Sequence, residues 1–173
     1  MPKISIATTP SIAQKPLTSI GIDIYRDEFH QKQTERQYWV KEKEKAAALG
    51  DRSENAEYIS AKEMIRNLDK RLKFLQNLLR TVRMIDPNTI SNNDARFGKK
   101  IHFDNNSFLV LVGSHELSLF TNSVSNNSLV GKALLGKRVG ESVTISNQQL
   151  KIVKIESASK CDTIKKENYK IEL

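Results

Sequence analysis

One run of apolar residues constrains this chain more than any other feature. Tyr58, Ala61, Ile65, Leu68, Leu72, Leu75, Leu79 and Val82 follow one another at alternating spacings of three and four. That is the a/d repeat of a coiled-coil seam, and the helix that carries such a seam needs a partner to bury it. The preceding segment, about Leu17 to Leu49, is charged, helix-forming in composition and free of proline after Pro16. Gly50 breaks it, and Asp51, Ser53, Glu54 and Asn55 make a short polar turn. So short a connection predicts an antiparallel helical hairpin over 17–86. About thirty residues of helix reach roughly 45 Å, so the turn is carried at the end of a prong. A prong has little surface for a pocket of its own; its use is to reach into something. Apolar positions in its first helix are sparse (Ile20, Ile24, Phe29, Trp39, Val40, Ala46 and Leu49), and Trp39 is expected to pack against the second helix.

Asp86-Pro87-Asn88 is the expected end of the second helix, because proline disfavours helix before it and removes a donor. Residues 87–96, rich in Asn, Ser and Asp, read as a linker. From Phe97 the period changes to that of strands, with candidates at Lys99–Phe103, Phe108–Val112, Leu117–Phe120, Ser142–Ile145 and Leu150–Ile155. A short helix, Ser128 to Leu135, interrupts them and ends at Gly136. The expected class is therefore α+β. Residues 1–16 form a flexible leader, 17–86 a coiled-coil hairpin, 97–156 a small sheet with one short helix, and 157–173 a polar C-terminal extension.

Composition narrows the chemistry. There are 28 Lys and Arg against 20 Asp and Glu, a net charge of +8, which points to a polyanionic partner or to steering toward one. The lone cysteine, Cys161, excludes an internal disulfide and fits a reducing cytosol. The N-terminal residues lack the pattern of a signal peptide, and no apolar run approaches the ~18 residues of a membrane span. A soluble, cytoplasmic monomer is expected. His30, His102 and His115 have no metal-ligand spacing among themselves or with Cys161. No nucleophile elbow, phosphate loop or dinucleotide fingerprint occurs, so nothing reads as a self-contained active site.

Two sets of residues carry candidate function. Asp51 and Glu54, three apart at the tip, have the spacing of an N-cap with a capping-box acid. The same pair could turn outward and offer oxygen ligands to a hard cation. Two carboxylates are too few for a private magnesium site, so the metal would be one that another molecule already holds in part. The second set lies on the outer face of the second helix. Between Lys62 and Arg83 there are seven basic residues and two acidic ones, and Lys62, Arg66, Lys70 and Lys73 fall along one side. The stripe is either a solvated face or a seat for a phosphate backbone.

The stretch G-D-R-S-E-N-A-E-Y, Gly50 to Tyr58, resembles the tip signature of the Gre family of bacterial transcript-cleavage factors, closer to the GreB type in its Arg52-Ser53 pair. The resemblance extends to L-T-x-x-G at Leu17 to Gly21, to V-G-S-H-E at Val112 to Glu116, and to L-V-G-K-A-L-L-G-K-R-V-G-E-S-V at Leu129 to Val143. It implies a C-terminal fold similar to FKBP prolyl isomerases, RNA polymerase as partner and nascent RNA beside the coiled coil. Asp51 and Glu54 are then donated to the polymerase's catalytic centre, where they share a Mg²⁺. Gly50, Arg52, Ser53, Asn55 and Tyr58 support the tip; Lys62, Arg66, Lys70 and Lys73 face RNA; and the loop Asn127, Ser128, Leu129 contacts polymerase. The implied role is stimulation of cleavage at the 3′ end of backtracked RNA, by a protein that is not an enzyme alone. Leu129 stands where the family usually has proline, and Asn127 where GreB-type proteins often carry an acid. Those departures leave open a channel-binding regulator without cleavage. A coiled-coil chaperone or prolyl isomerase is the rival from another class.

Overall fold

The heptad seam does produce the hairpin. In the computed structural model, which describes residues 15–49 and 55–164, α1 runs from Ser19 to Ala47 and α2 from Ala56 to Thr81. Ala61, Leu68 and Leu75, seven apart, are buried, while Tyr58, Ile65 and Leu72 are half-buried. That is how a two-helix seam buries its residues when only one neighbour covers it. Two ion pairs cross between the helices: Arg71 holds Glu28 through two bonds of 2.7 and 2.9 Å, and Arg36 holds Asp69 at 2.5 Å. Trp39, half-buried, lines a groove between the helices with Ala56, Ser60 and Ala61 of the second.

The helix ends earlier than its spacing predicts. It stops at Thr81, and Val82–Ile85 form a strand, β2, that pairs in parallel with β1, Lys15–Thr18. Pro87–Thr89 then make a single 3₁₀ turn. Val82 therefore belongs to β2 and not to the helical seam. Past Leu75 the hairpin meets a second layer, and Leu78, off the a/d pattern, is buried there at 5% exposure.

That second layer is a five-stranded sheet in the order β5-β4-β3-β7-β6. Its members are β3 (Lys99–Phe103), β4 (Phe108–Val112), β5 (Ser123–Ser125), β6 (Ser142–Ile145) and β7 (Gln148–Ser157). All neighbours are antiparallel except β4 and β5. Three expected strands appear with their expected bounds, and the last is longer. The expected strand at Leu117–Phe120 is instead a turn, bonded Glu116 N–H to Gly113 O and Leu119 N–H to Glu116 O. Its apolar residues Leu119 and Phe120 are buried as anchors, and the edge strand lies at Ser123–Ser125. α3 spans Leu129–Leu134, with Ser128 as N-cap and Gly136 in the left-handed region just after it.

The period-two alternation of β4 divides the core. Leu111, with Ile101, Phe103, Leu134, Val143, Ile152 and Ile155, packs under α3. Val110 and Val112 face the other way and meet Leu17, Ile20, Ile22, Tyr25, Leu75 and Leu78 from the base of the hairpin. The sheet is thus a middle layer, with the short helix on one face and the root of the prong on the other. Residues 87–96 are tied to it by Lys99, fully buried, whose Nζ donates to Pro87 O at 2.7 Å, Ile90 O at 2.5 Å and Asn92 Oδ1 at 2.7 Å. Burial lowers the Lys99 pKa, against the opposing fields of Asp86 and Asp94. After β7 the chain stays docked through Ala158, buried against the hairpin root, and a bridge between Phe120 and Thr163.

Candidate functional site

The distal end of the hairpin is closed by Asn55. It is the N-cap of α2, its Oδ1 accepting from the Tyr58 N–H at 3.1 Å, while its Nδ2 donates to Ala46 O in the last turn of α1 at 2.9 Å. One side chain therefore satisfies an orphan donor of one helix and an orphan acceptor of the other. The cap that the spacing placed at Asp51 and Glu54 is at Asn55 instead, because α2 begins only at Ala56. Gly50, Asp51, Arg52, Ser53 and Glu54 lie outside the described residues. The two tip supports within the description, Asn55 and Tyr58, are both half-buried where the helices converge.

The donor chemistry of Asp51 and Glu54 fits a hard divalent cation: two carboxylates, with no soft ligand adjoining them in the sequence. Among the described residues there is no cluster of three or more metal-ligating side chains. Two carboxylates fill only part of the oxygen shell of such a cation, so a metal at the tip would need most of its ligands from elsewhere.

Lys62, Arg66, Lys70 and Lys73 are all exposed, and among the described residues none of them has an ion pair. The acids and bases around them are used differently. Asp69 is taken by Arg36 of the opposite helix, and Arg71, counted with the basic face in the sequence, is turned inward to Glu28. The bidentate bond to Glu28 raises the Arg71 pKa despite partial burial. What remains outward is a positive stripe with Glu63 as the acid beside it on the helix.

At the other end of the molecule, Ser128 caps α3. Its Oγ accepts from the Gly131 N–H at 3.0 Å and donates to Ser125 O at 2.7 Å. Asn127 is exposed, with its N–H on Ser125 Oγ at 3.3 Å. Leu129 is 88% exposed, so an apolar side chain stands free at the first position of the helix. The three loop residues are thus together and accessible, on the opposite layer from the hairpin root. Sequence reasoning gave Glu116 no role of its own, although it is the buried group that joins the two layers. Its only sequence signal was its place in V-G-S-H-E.

The chain matches two family models in succession: "Transcription elongation factor, N-terminal" over residues 15–84, and "Transcription elongation factor, GreA/GreB, C-term" over residues 91–157. It is 34% identical to transcription elongation factor GreA of Bacillus licheniformis over 151 residues, 81% of this chain and 95% of that protein. It is 38% identical to transcription elongation factor GreB of Yersinia pestis over 104 residues, 58% of this chain and 61% of that protein. The crystal structure of GreA factor homolog 1 from Thermus thermophilus aligns with 83% of this chain at 17% identity and a TM-score of 0.41. Hairpin and sheet unit each match their half of one family, in the same order, and the chain belongs to the GreA/GreB family of transcription elongation factors.

Proposed function

We propose that this protein docks on a bacterial RNA polymerase through the Asn127–Leu129 loop, passes its hairpin into the channel that leads to the catalytic centre, and stimulates cleavage of backtracked RNA there. The observation that carries this reading is the tip. The signature Gly50 to Tyr58 keeps both acids, and α2 has its own cap in Asn55, so Asp51 and Glu54 are spared that duty. In the arrested complex these two carboxylates supply oxygen ligands to a Mg²⁺ that the polymerase holds in part. When held there, such an ion would supply Lewis-acid stabilisation of the developing charge in a two-metal displacement. Asp51 and Glu54 also accept hydrogen bonds from the attacking water and orient it. The exposed stripe of Lys62, Arg66, Lys70 and Lys73, without ion pairs among the described residues, steadies the extruded RNA strand through its phosphates. The scissile bond is cut in the polymerase's centre; this chain brings ligands and charge.

The test replaces Asp51→Asn and Glu54→Gln and measures transcript cleavage on defined backtracked complexes, with polymerase binding measured in parallel. Cleavage stimulation is expected to fall by at least ~100-fold, about 2.7 kcal/mol of barrier, with binding unchanged and partial recovery at raised Mg²⁺. If both variants bind and stimulate like the parent, the tip acids have no catalytic part. A parent protein that binds polymerase without stimulating cleavage would instead be a regulator of the channel.

A further inference from the structure

The root of the prong is held by a carboxylate that none of these roles uses. Glu116, in the turn after β4, is fully buried and makes no ion pair among the described residues. Its Oε1 accepts from the Thr18 backbone N–H at 2.9 Å and from the Thr18 hydroxyl at 2.5 Å, and its Oε2 accepts from the Gly113 N–H at 3.2 Å. Thr18 is the N-cap of α1, and its own hydroxyl oxygen accepts from the Gly21 N–H at 2.9 Å. One carboxylate of the sheet unit thus reaches, through one hydroxyl, the first turn of the prong's first helix. Burying a carboxylate without a cation is costly, and burial pushes the Glu116 pKa up against the three bonds that lower it. Those donors, with the positive end of the α1 dipole, are what hold it there.

The fit leaves no slack. A Cβ on Gly21 would lie 2.1 Å from Glu116 Oε1, and one on Gly113 would lie 2.7 Å from Pro16 O. Beside them the Tyr25 hydroxyl donates to the His115 carbonyl, and Lys15 Nζ lies 3.1 Å from His115 Nε2. These polar contacts of residues 113–116 with the hairpin all fall on residues 15–25, at the start of α1.

We infer that Glu116 is a positioning residue: it fixes the angle at which the hairpin leaves the sheet, and with it where the tip acids arrive once the sheet unit is docked. The inference rests on the cleavage role proposed above. The apolar contact between the layers has no direction of its own, whereas two directed bonds from Thr18 meet one buried carboxylate that the Gly113 N–H holds in place on the sheet side, and together they select a single orientation. Leverage makes this matter. α1 has 29 residues, about 43 Å of helix, so a tilt of ~5° at the root moves the far end by ~4 Å. A displacement of ~1 Å is already enough to cost ~100-fold in a reaction that depends on placement.

The test uses the full chain with Cys161→Ser and spin labels on Ser60→Cys and Lys151→Cys, exposed sites on α2 and β7. Three variants are compared with this parent: Glu116→Ala; Thr18→Val, which removes the hydroxyl while keeping its volume; and Thr18→Ser, which keeps the hydroxyl. The inter-label distance distribution is expected to be narrow in the parent and in Thr18→Ser, and broad in the other two. Cleavage stimulation should fall at least ~10-fold in the broadened variants, while their affinity for polymerase changes by less than ~3-fold. Unfolding midpoints identify any variant that has lost its fold, and Thr18→Val serves if Glu116→Ala does. Unchanged distributions overturn the inference, and so do broadened distributions with unaltered cleavage. A parent that binds polymerase without stimulating cleavage sinks the proposed function, and the positioning role in cleavage with it, while the distances still report whether Glu116 sets the angle.

Discussion

Asn55 serves both helices at the end of the hairpin, and its two bonds can be separated. Its Oδ1 caps α2, and its Nδ2 fills a carbonyl in the last turn of α1. Asn55→Asp keeps a good cap and loses the cross-hairpin donor; Asn55→Ala loses both. Caps are worth on the order of 1 kcal/mol, and a net neutral hydrogen bond roughly as much. Asn55→Ala should therefore destabilise the hairpin by ~2 kcal/mol and Asn55→Asp by about half of that, read as amide exchange at Tyr58 and in the turns beside it. Equal loss in both variants would mean that only the bond to Ala46 counts. A second residue contributes to the acid limb of stability. Burial pushes the Asp162 carboxyl up, but Lys100 at 2.6 Å and the Ser159 N–H and hydroxyl outweigh it, and the net shift is downward from the ordinary 3.8. A lowered native pKa gives stability that is fully present above the unfolded value and is lost as pH falls through the native one. Asp162→Asn should lower the urea midpoint at neutral pH and flatten its decline between ~pH 5 and ~pH 2. Glu116, shifted upward, has the opposite sign: its linked stability is full below its unfolded value and is lost as pH rises through the native one.

At the scale of elements, the basic stripe on α2 gives the clearest expectation. Lys62, Arg66, Lys70 and Lys73 are exposed and lack ion pairs among the described residues, so replacing three of them should leave folding intact. Arg66, Lys70 and Lys73 changed together to Gln should weaken RNA crosslinking in arrested complexes and reduce its salt dependence, because fewer counterions are released. Crosslinking and salt dependence like the parent's would return the stripe to an ordinary solvated face. The stripe was legible because helical spacing alone assigns a residue to a side of a helix. The hairpin was legible for the same reason. The two short strands at its root were not: β2 continues the apolar spacing of the seam through Val82, and β1 contains Pro16, which an edge position tolerates but a sequence pattern counts against a strand. Each is four residues long and exists because of the other, from opposite ends of the hairpin. Glu116 was hidden by distance too, since its partner Thr18 is 98 positions away. The tip acids show the limit in another way. Their spacing matched a cap that Asn55 supplies for α2; two outward carboxylates also allowed a metal, and the nine-residue signature around them was what favoured that reading.

For the whole molecule, the division into prong and sheet meets a core that belongs to both. The cluster of Ile101, Phe103, Leu111, Leu134, Ile152 and Ile155 lies wholly within the sheet unit, but Val110, Val112, Leu119 and Phe120 are covered by Leu17, Ile20, Ile22, Tyr25, Leu75 and Leu78 of the hairpin. A fragment starting at Asp94 keeps the first cluster and uncovers the second. It also leaves Lys99 buried without Pro87, Ile90 and Asn92, three of the acceptors that satisfy its ammonium. An ammonium left with only the Ser157 hydroxyl as acceptor and a stripped apolar face are each among the few causes of large destabilisation. We therefore expect this fragment to fold as a β-rich unit, because one complete core remains, but with a lower unfolding midpoint than the intact chain and with binding of an apolar dye. Starting the fragment at Pro87 restores the lysine's acceptors and should recover part of the midpoint without reducing dye binding. A hairpin fragment ending at Asp86 should stay helical, since its seam and its two cross-helix ion pairs are internal, and should fray from the root where Leu17 and Leu78 are uncovered. The intact chain should unfold in one transition, because a shared cluster couples the two parts. Two separate transitions in the intact chain, with a fragment from Asp94 as stable as its counterpart within the whole and silent to the dye, would show that the hairpin root lies on the sheet without contributing to its stability.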